Sequence, residues 1–193
     1  MRYDAEILML AAGKSRRLGR AKQFVEYQEK PLILNTYNKL SPLTDRPINI
    51  AIRPQDAEKI STIFQKETIN LIKINSTGIG ETISKSVDFI KPKHPLLISV
   101  CDQPLIPRLH YKKLLRQFSS DPNRPCATDI GSYSVPAIFP TRLLPELIRL
   151  SGDQGAKSIL VQNKAQSVSC YEAIFDIDKP TDLVNLSTRN QDD

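Results

Sequence analysis

Between Gly13 and Lys22 the chain carries five basic residues, Lys14, Arg16, Arg17, Arg20 and Lys22, and no acid. The apolar stretch at 7–10 that leads into this run reads as a buried β-strand. Glycines at 13 and 19 let the backbone come close to a ligand, and successive N–H groups there form a concave nest for anions. A strand followed by a glycine-bounded basic loop is a place to hold a polyphosphate. Neither of the two commonest phosphate motifs is present. Gly13 and Gly19 stand six apart with no glycine between them, which excludes GxGxxG. Gly19 is followed by Arg20, and no Ser or Thr follows Lys22, which excludes the P-loop. Phosphate must therefore be held largely by side chains, unless the run is only a solvated surface loop.

Carboxylates supply the second kind of chemistry. Asp102 follows the apolar run 95–101 directly, with prolines at 104 and 107. Magnesium takes a few carboxylates together with phosphate oxygens and retained waters, so one such Asp suffices to recruit a metal-bound nucleotide. The alternative is that Asp102 caps a helix beginning near Pro107. Asp176 and Asp178 end an apparent strand at 173–177, where a period of two puts both on one face. Asp178 is equally placed to cap a helix opening at Pro180, and both roles are compatible. Cys101 reads as a buried strand-end thiol rather than a nucleophile, because no histidine pattern accompanies it. His94 falls in a turn and His110 on an exposed helix, so neither points to a triad or a metal cluster.

These positions need a scaffold that brings 11–22, 75–81 and 101–107 to one place. Apolar runs at 47–52, 69–74 and 95–101 read as buried strands. Between them, Ala57, Ile60 and Phe64, then Ile83, Val87 and Ile90, recur at helical spacing, as does the segment 32–40. Alternating β and α elements imply an α/β fold, a Rossmann-like three-layer sandwich with a mostly parallel sheet covered by helices on both faces. Right-handed crossovers then place the loops after the strands along one edge, where such sheets bind ligands. After about residue 119, prolines at 122, 125 and 136 interrupt short strands around a turn at Gly131 and Ser132. Helices are expected at 143–150 and 156–162, and a closing helix at 180–186.

With 193 residues, 40% hydrophobic and 25% charged, the chain reads as one domain over 1–187 with a frayed polar tail at 188–193. No apolar run approaches membrane-spanning length and no signal peptide precedes the first strand, which points to the cytoplasm and no membrane. Three widely spaced cysteines with no CxxC suggest neither a disulfide framework nor a zinc site. A net charge of +6 suits an anionic partner. No basic–aromatic stripe argues for nucleic acid.

Together these features resemble the MobA-like nucleotidyltransferase family, most closely its molybdenum cofactor cytidylyltransferases. Leu10, Ala11, Ala12, Gly13, Ser15, Arg17, Gly19 and Lys22 match the family's LAAGxSxRxGxxK signature. Asp102, Gln103 and Pro104 match its DQP metal loop, and 176–183 resembles its DIDTPEDL ending. Residues 152–157 resemble its GDxGA(K/R) segment. The Ala11–Ala12–Gly13 form is that of cytidylyl enzymes, whereas guanylyl relatives usually carry Ala-Gly-Gly. Two departures stand out. Glu81 occupies a place where a small hydroxyl is usual, and the stretch 131–136 lacks the histidine of the family's GxPGHP segment.

The resemblance implies a fold of the nucleotide-diphospho-sugar transferase type. It implies transfer of a nucleoside monophosphate from an NTP, CTP favoured, to a phosphorylated acceptor such as molybdopterin cofactor, with pyrophosphate released. Arg17, Lys22 and Asp102 would be catalytic. Leu10, Ala11, Ala12 and Gly13, with Gly80 and Thr82, would line the nucleotide together with Arg17 and Lys22. Asp102 and Asp178, or Asp176 in its place, would hold Mg2+ or Mn2+. A molybdenum-enzyme chaperone is the implied protein partner. Rival readings are a nucleotidyltransferase for a sugar phosphate or an isoprenoid-precursor phosphate, and a nucleotide-binding accessory protein without catalysis.

Overall fold

A seven-stranded sheet, beside a small antiparallel pair at Glu26–Tyr27 and Lys30–Pro31, carries the rest of the chain in the computed structural model, which describes residues 2–13, 15, 18–179 and 181–182. Its strands are β1 (Glu6–Ala11), β2 (Ile48–Ile52), β3 (Ile69–Lys73), β4 (Leu96–Val100), β5 (Cys126–Asp129), β6 (Tyr133–Phe139) and β7 (Gln166–Ser169). They lie in the order β3-β2-β1-β4-β6-β5-β7. Only β6 runs antiparallel to its neighbours. The pairings β3–β2, β2–β1, β1–β4 and β5–β7 are parallel.

The near-continuous apolar runs of β1 and β2 reflect burial on both faces. Alternation along them divides the core in two. Ile7, Met9, Ile48, Ile50 and Ile52 face one cluster, closed by Ile33 and Tyr37 of α1 (Leu32–Leu40), Ile60 of α2 (Ala57–Ile63), and Tyr111, Leu114 and Phe118 of α4 (Arg108–Ser120). Leu8, Leu10, Ala51, Leu96 and Ile98 face the other, under Ile83 and Val87 of α3 (Ile79–Ile90), α5 (Leu144–Ile148) and α6 (Lys157–Gln162). The expected three layers are formed, and the spacings that predicted α1, α2 and α3 mark the buried stripes.

Chain direction across the sheet decides where a ligand can enter. From β1 the chain moves outward through β2 to β3, then returns to place β4 on the other side of β1. The crevice at the carboxyl ends of β1 and β4 is thus a topological switch point. The turn joining β5 to β6 contains Gly131 at φ +88, a backbone conformation that side chains disfavour.

Three expectations are corrected. The segment 173–177 is not a strand: a 3-10 turn covers Tyr171–Ile174, and the following residues attach through one backbone bond, Ile177 N–H to Asp102 O at 2.9 Å. The sheet position beside β5 is taken by β7 instead. Its sequence, Gln-Ser-Val-Ser, has one apolar residue because it pairs on one side only. The helix expected over 143–150 is shorter, a 3-10 turn at Thr141–Leu143 leading into α5. His110, expected on an exposed face, is buried with Nε2 2.8 Å from Thr128 Oγ1, and burial pushes the imidazole down to about 4. Of the helix expected from residue 180, only Thr181 and Asp182 are described, both helical; the tail at 188–193 lies outside the described residues.

All three cysteines are buried, and burial raises each thiol: Cys126 to about 12, Cys170 to about 11, and Cys101 further still, helped by the charge of Asp102.

Candidate functional site

A cavity of about 690 Å³ opens at the switch point. Its walls come from residues 10–13 and 15 after β1, Lys22 and Gln23, residues 76–79 and Thr82 around the start of α3, residues 100–102 after β4, and the single residues Asp153 and Asp178. The three loops expected to converge do so.

One side of this cavity is a cluster of charge. Lys22 begins a single 3-10 turn, Lys22–Phe24, whose setting is fixed from both ends. Its backbone N–H donates to Ser15 Oγ at 3.1 Å, and Ser15 itself holds a positive φ of 47. The next residue, Gln23, is buried and donates through Nε2 to Asp56 Oδ2 at 2.8 Å. Asp56 is paired in turn with Arg53 Nε at 2.8 Å. So anchored, Lys22 extends its ammonium to Asp102 Oδ2 at 2.9 Å and to Asp178 Oδ1. Partial burial would favour the neutral amine, but the charge of Asp102 and the bond to Asp178 outweigh it and raise the pKa of Lys22. Asp176, outside the lining but near the same cluster, is pushed up to about 6 by desolvation and then by the charge of Asp102, although the residue is exposed overall.

This arrangement removes the capping reading of Asp102. The residue before α4 is Pro107, with no side-chain cap, and the Asp102 carboxylate engages Lys22. The Asp178 carboxylate joins it through the Ile177–Asp102 backbone bond rather than along a strand face. Asp182 accepts the backbone N–H groups of Asp178 at 2.8 Å and Lys179 at 2.7 Å, which holds this segment in place.

The opposite side is closely packed, and Asp153 is on it. A Cβ at Gly78 would stand 2.2 Å from Asp153 Oδ1, and one at Gly80 would stand 2.2 Å from Gln154 O. Only glycine permits the start of α3 to rest on residues 151–154 this closely. Gly80 N–H also donates to Gly152 O at 2.9 Å. Gly80, expected to touch nucleotide, is therefore behind the wall and packs α3 against this loop. Thr82 does line the cavity; its Oγ1 donates to Gly78 O at 2.9 Å and lies 2.7 Å from Ser76 Oγ. Glu81 turns away from the cavity. Its Oε2 accepts the Thr77 N–H and the Thr77 hydroxyl, both at 2.7 Å, and its other oxygen pairs with Lys85 at 2.6 Å. Lys85 and then the Thr77 N–H hold the Glu81 carboxyl down at about 2. The acid in place of a small hydroxyl thus secures the helix start.

Leu10, Ala11, Ala12, Gly13, Lys22, Thr82, Asp102 and Asp178 all border the cavity, as the sequence suggested. Arg17 lies outside the described residues, with Lys14 and Arg16. Sequence reading assigned no role to Ser15, Gln23, Ser76, Thr77, Ile79 or Asp153. Ser15 and Asp153 carried a signal as members of matched segments, and Ser76, Thr77 and Ile79 as members of the loop 75–81 expected at this edge. Among the described residues no group of three or more His, Cys, Asp and Glu is arranged to hold a metal by itself. Asp102 and Asp178 do converge on one cation, the Lys22 ammonium, and two carboxylates completed by phosphate oxygens and water suit magnesium. The donor set fits a divalent ion that arrives with a polyphosphate. Among the described residues no helix is long and apolar enough to cross a membrane.

The chain is similar to proteins of known family and to solved structures. Residues 7–168 match the family described as the MobA-like NTP transferase domain. The chain is 28% identical over 169 residues to a molybdenum cofactor guanylyltransferase of Pseudomonas aeruginosa (strain LESB58), covering 84% of this chain and 82% of that protein. In fold it is similar to Rv0371C of Mycobacterium tuberculosis, solved in complex with manganese, with a TM-score of 0.78 at 15% identity over 95% of this chain and 97% of the other. It is also similar in fold to a 4-diphosphocytidyl-2C-methyl-D-erythritol synthase of Anaerococcus prevotii DSM 20548, with a TM-score of 0.74 at 15% identity over 98% and 96% of the two chains.

Proposed function

The chain belongs to the MobA-like NTP transferase family and is a nucleotidyltransferase, and from that premise we propose that it transfers CMP from CTP to the terminal phosphate of molybdopterin cofactor. An oxygen of the acceptor phosphate attacks the α-phosphorus of the NTP, the bond to the β-phosphate breaks, and pyrophosphate leaves with the electron pair. Little covalent help is needed, because positioning and charge neutralisation supply most of such a rate enhancement. The observation that carries the reading is the meeting of Lys22, Asp102 and Asp178 beside the backbone of residues 10–13 at the switch point.

Each residue then has a role. The backbone of Leu10, Ala11, Ala12 and Gly13, with Thr82, borders the base and ribose. Arg17 and Lys22 neutralise the triphosphate and the departing pyrophosphate. Asp102 and Asp178, with Asp176 adjacent, would hold Mg2+ or Mn2+; the solved manganese complex of the M. tuberculosis protein supports a divalent ion. When bound, that ion supplies charge neutralisation at the α-phosphate.

CTP is favoured by Ala12, which sets a methyl-bearing residue in the cavity wall where guanylyl relatives usually carry glycine. A second reading, GTP as donor, is favoured by the P. aeruginosa relative, which is named a guanylyltransferase. The test is pyrophosphate release from CTP, GTP, ATP and UTP, each offered with molybdopterin cofactor, a sugar phosphate and an isoprenoid-precursor phosphate. The expected result is turnover with CTP and molybdopterin cofactor, lowered on the order of 10²–10³-fold in Asp102→Ala. Turnover with GTP alone moves the donor to guanine, and turnover with another phosphate moves the acceptor. Tight nucleotide binding with no pyrophosphate from any pair would make the chain a non-catalytic accessory.

A further inference from the structure

The Lys22 ammonium has a position that the proposed role of this residue does not explain. A lysine meant only to neutralise a triphosphate would extend toward the basic loop from which it springs. Lys22 instead makes ion pairs with both carboxylates assigned to the metal. Its side chain is largely enclosed there, 16% exposed. The 3-10 turn that starts it is pinned by Ser15 on one side and by the Gln23–Asp56–Arg53 chain on the other, so the backbone does not need to move for the side chain to swing.

We propose that the Lys22 ammonium and the divalent cation are alternative occupants of one position between Asp102 and Asp178, so that a metal ion settles there as the ammonium moves onto the triphosphate. This rests on the functional reading above. The exchange replaces one positive charge by two between the same carboxylates. It also hands the ammonium, with its three donors, to phosphate oxygens that need neutralising. Neither ligand then gains its full set of contacts alone. Metal without nucleotide must displace an ammonium that has nowhere better to go. Nucleotide without metal must draw Lys22 away and give up its ion pairs with Asp102 and Asp178, with Asp176 close by. Metal and nucleotide therefore bind with positive coupling through this one side chain, and the coupling is reciprocal. Lys22 also keeps the carboxylate cluster compensated between turnovers.

The experiment measures Mn2+ binding by electron paramagnetic resonance without nucleotide, then with CTP and with GTP. The proteins are wild type, Lys22→Met, Lys22→Gln, Asp102→Asn, and Arg20→Met as an equal charge change on the same loop at an exposed residue. Without nucleotide, both Lys22 variants should bind Mn2+ about tenfold more tightly than wild type, while Arg20→Met stays within about twofold. Asp102→Asn should weaken uptake in every condition. Suppose the Lys22 variants bind nucleotide-free Mn2+ no more tightly than wild type, while wild type takes up Mn2+ with nucleotide through Asp102. Then the exchange is wrong and the metal assignment stands. If Arg20→Met tightens binding as much as the Lys22 variants do, the effect is general charge and the shared position is again wrong. If no protein takes up Mn2+ with either nucleotide, the exchange and the metal reading fall together.

Discussion

The two sides of the cavity are built on opposite principles. On one, Lys22, Asp102 and Asp178 meet through long side chains whose charges hold one another. On the other, Gly78 and Gly80 rest against residues 151–154 at distances no side chain would allow. The charged side can rearrange by rotating a few bonds when a ligand arrives. The packed side cannot move without separating α3 from the loop it lies on. A site that must grip a triphosphate and then release pyrophosphate needs the first kind of wall. A site that must measure the outline of a base needs the second, because close-packed contacts transmit shape.

The largest expected effect tests the charge proposed for the basic loop. Arg17→Ala should lower kcat on the order of 10²-fold or more, as for other lost charge-stabilising groups, with little change in urea stability. Steady-state pyrophosphate release and equilibrium unfolding check the two halves of that statement, and an unchanged rate would remove Arg17 from the mechanism.

The converse is expected at Gly80. Gly80→Ala brings a methyl group onto Gln154 O and should cost roughly 1–3 kcal/mol of stability through forced backbone shifts. It should also raise KM for the nucleotide more than it lowers kcat, because the wall is displaced and the charges are untouched. If kcat fell while stability and KM held, the division between the two sides would fail.

Smallest is the effect of pH on the charged side. The folded-state pKa of Asp176, about 6, lies above its ordinary 3.8. Over that interval the folded protein keeps a proton that the unfolded chain has lost, so the contribution of Asp176 to stability declines as pH rises from about 4 to about 6, against the opposite contribution of buried His110. Asp176→Asn should therefore gain thermal stability relative to wild type as pH rises over the same range. Equal slopes in the two proteins would mean that Asp176 does not feel its neighbours.

The same division explains what was legible in the sequence. The charged side was readable because its residue types are rare in combination and sit directly after apolar runs: the basic loop after 7–10, Asp102 after 95–101. The packed side was not, because the contact of Gly78 and Gly80 with 151–154 spans some seventy positions of chain, and a glycine there reads equally well as a turn or a ligand contact. Asp176 and Asp178 were placed beside Asp102 for the wrong reason. A strand was expected to carry them; one bond from Ile177 N–H to Asp102 O does it instead. β7 escaped notice because an edge strand with a single apolar residue has almost no periodic signature. Glu81 looked like an obstacle to nucleotide until its partners Thr77 and Lys85 were seen.

The three quiet thiols make the native sequence a ready background for site-directed labelling. Cys101, Cys126 and Cys170 are all buried and all resist ionisation, so maleimide reagents near neutral pH would find few thiolates to attack. Ile79, 38% exposed on the packed wall, could then be exchanged for a lone reactive cysteine without first stripping the others away. A fluorophore attached there would watch nucleotides come and go in real time.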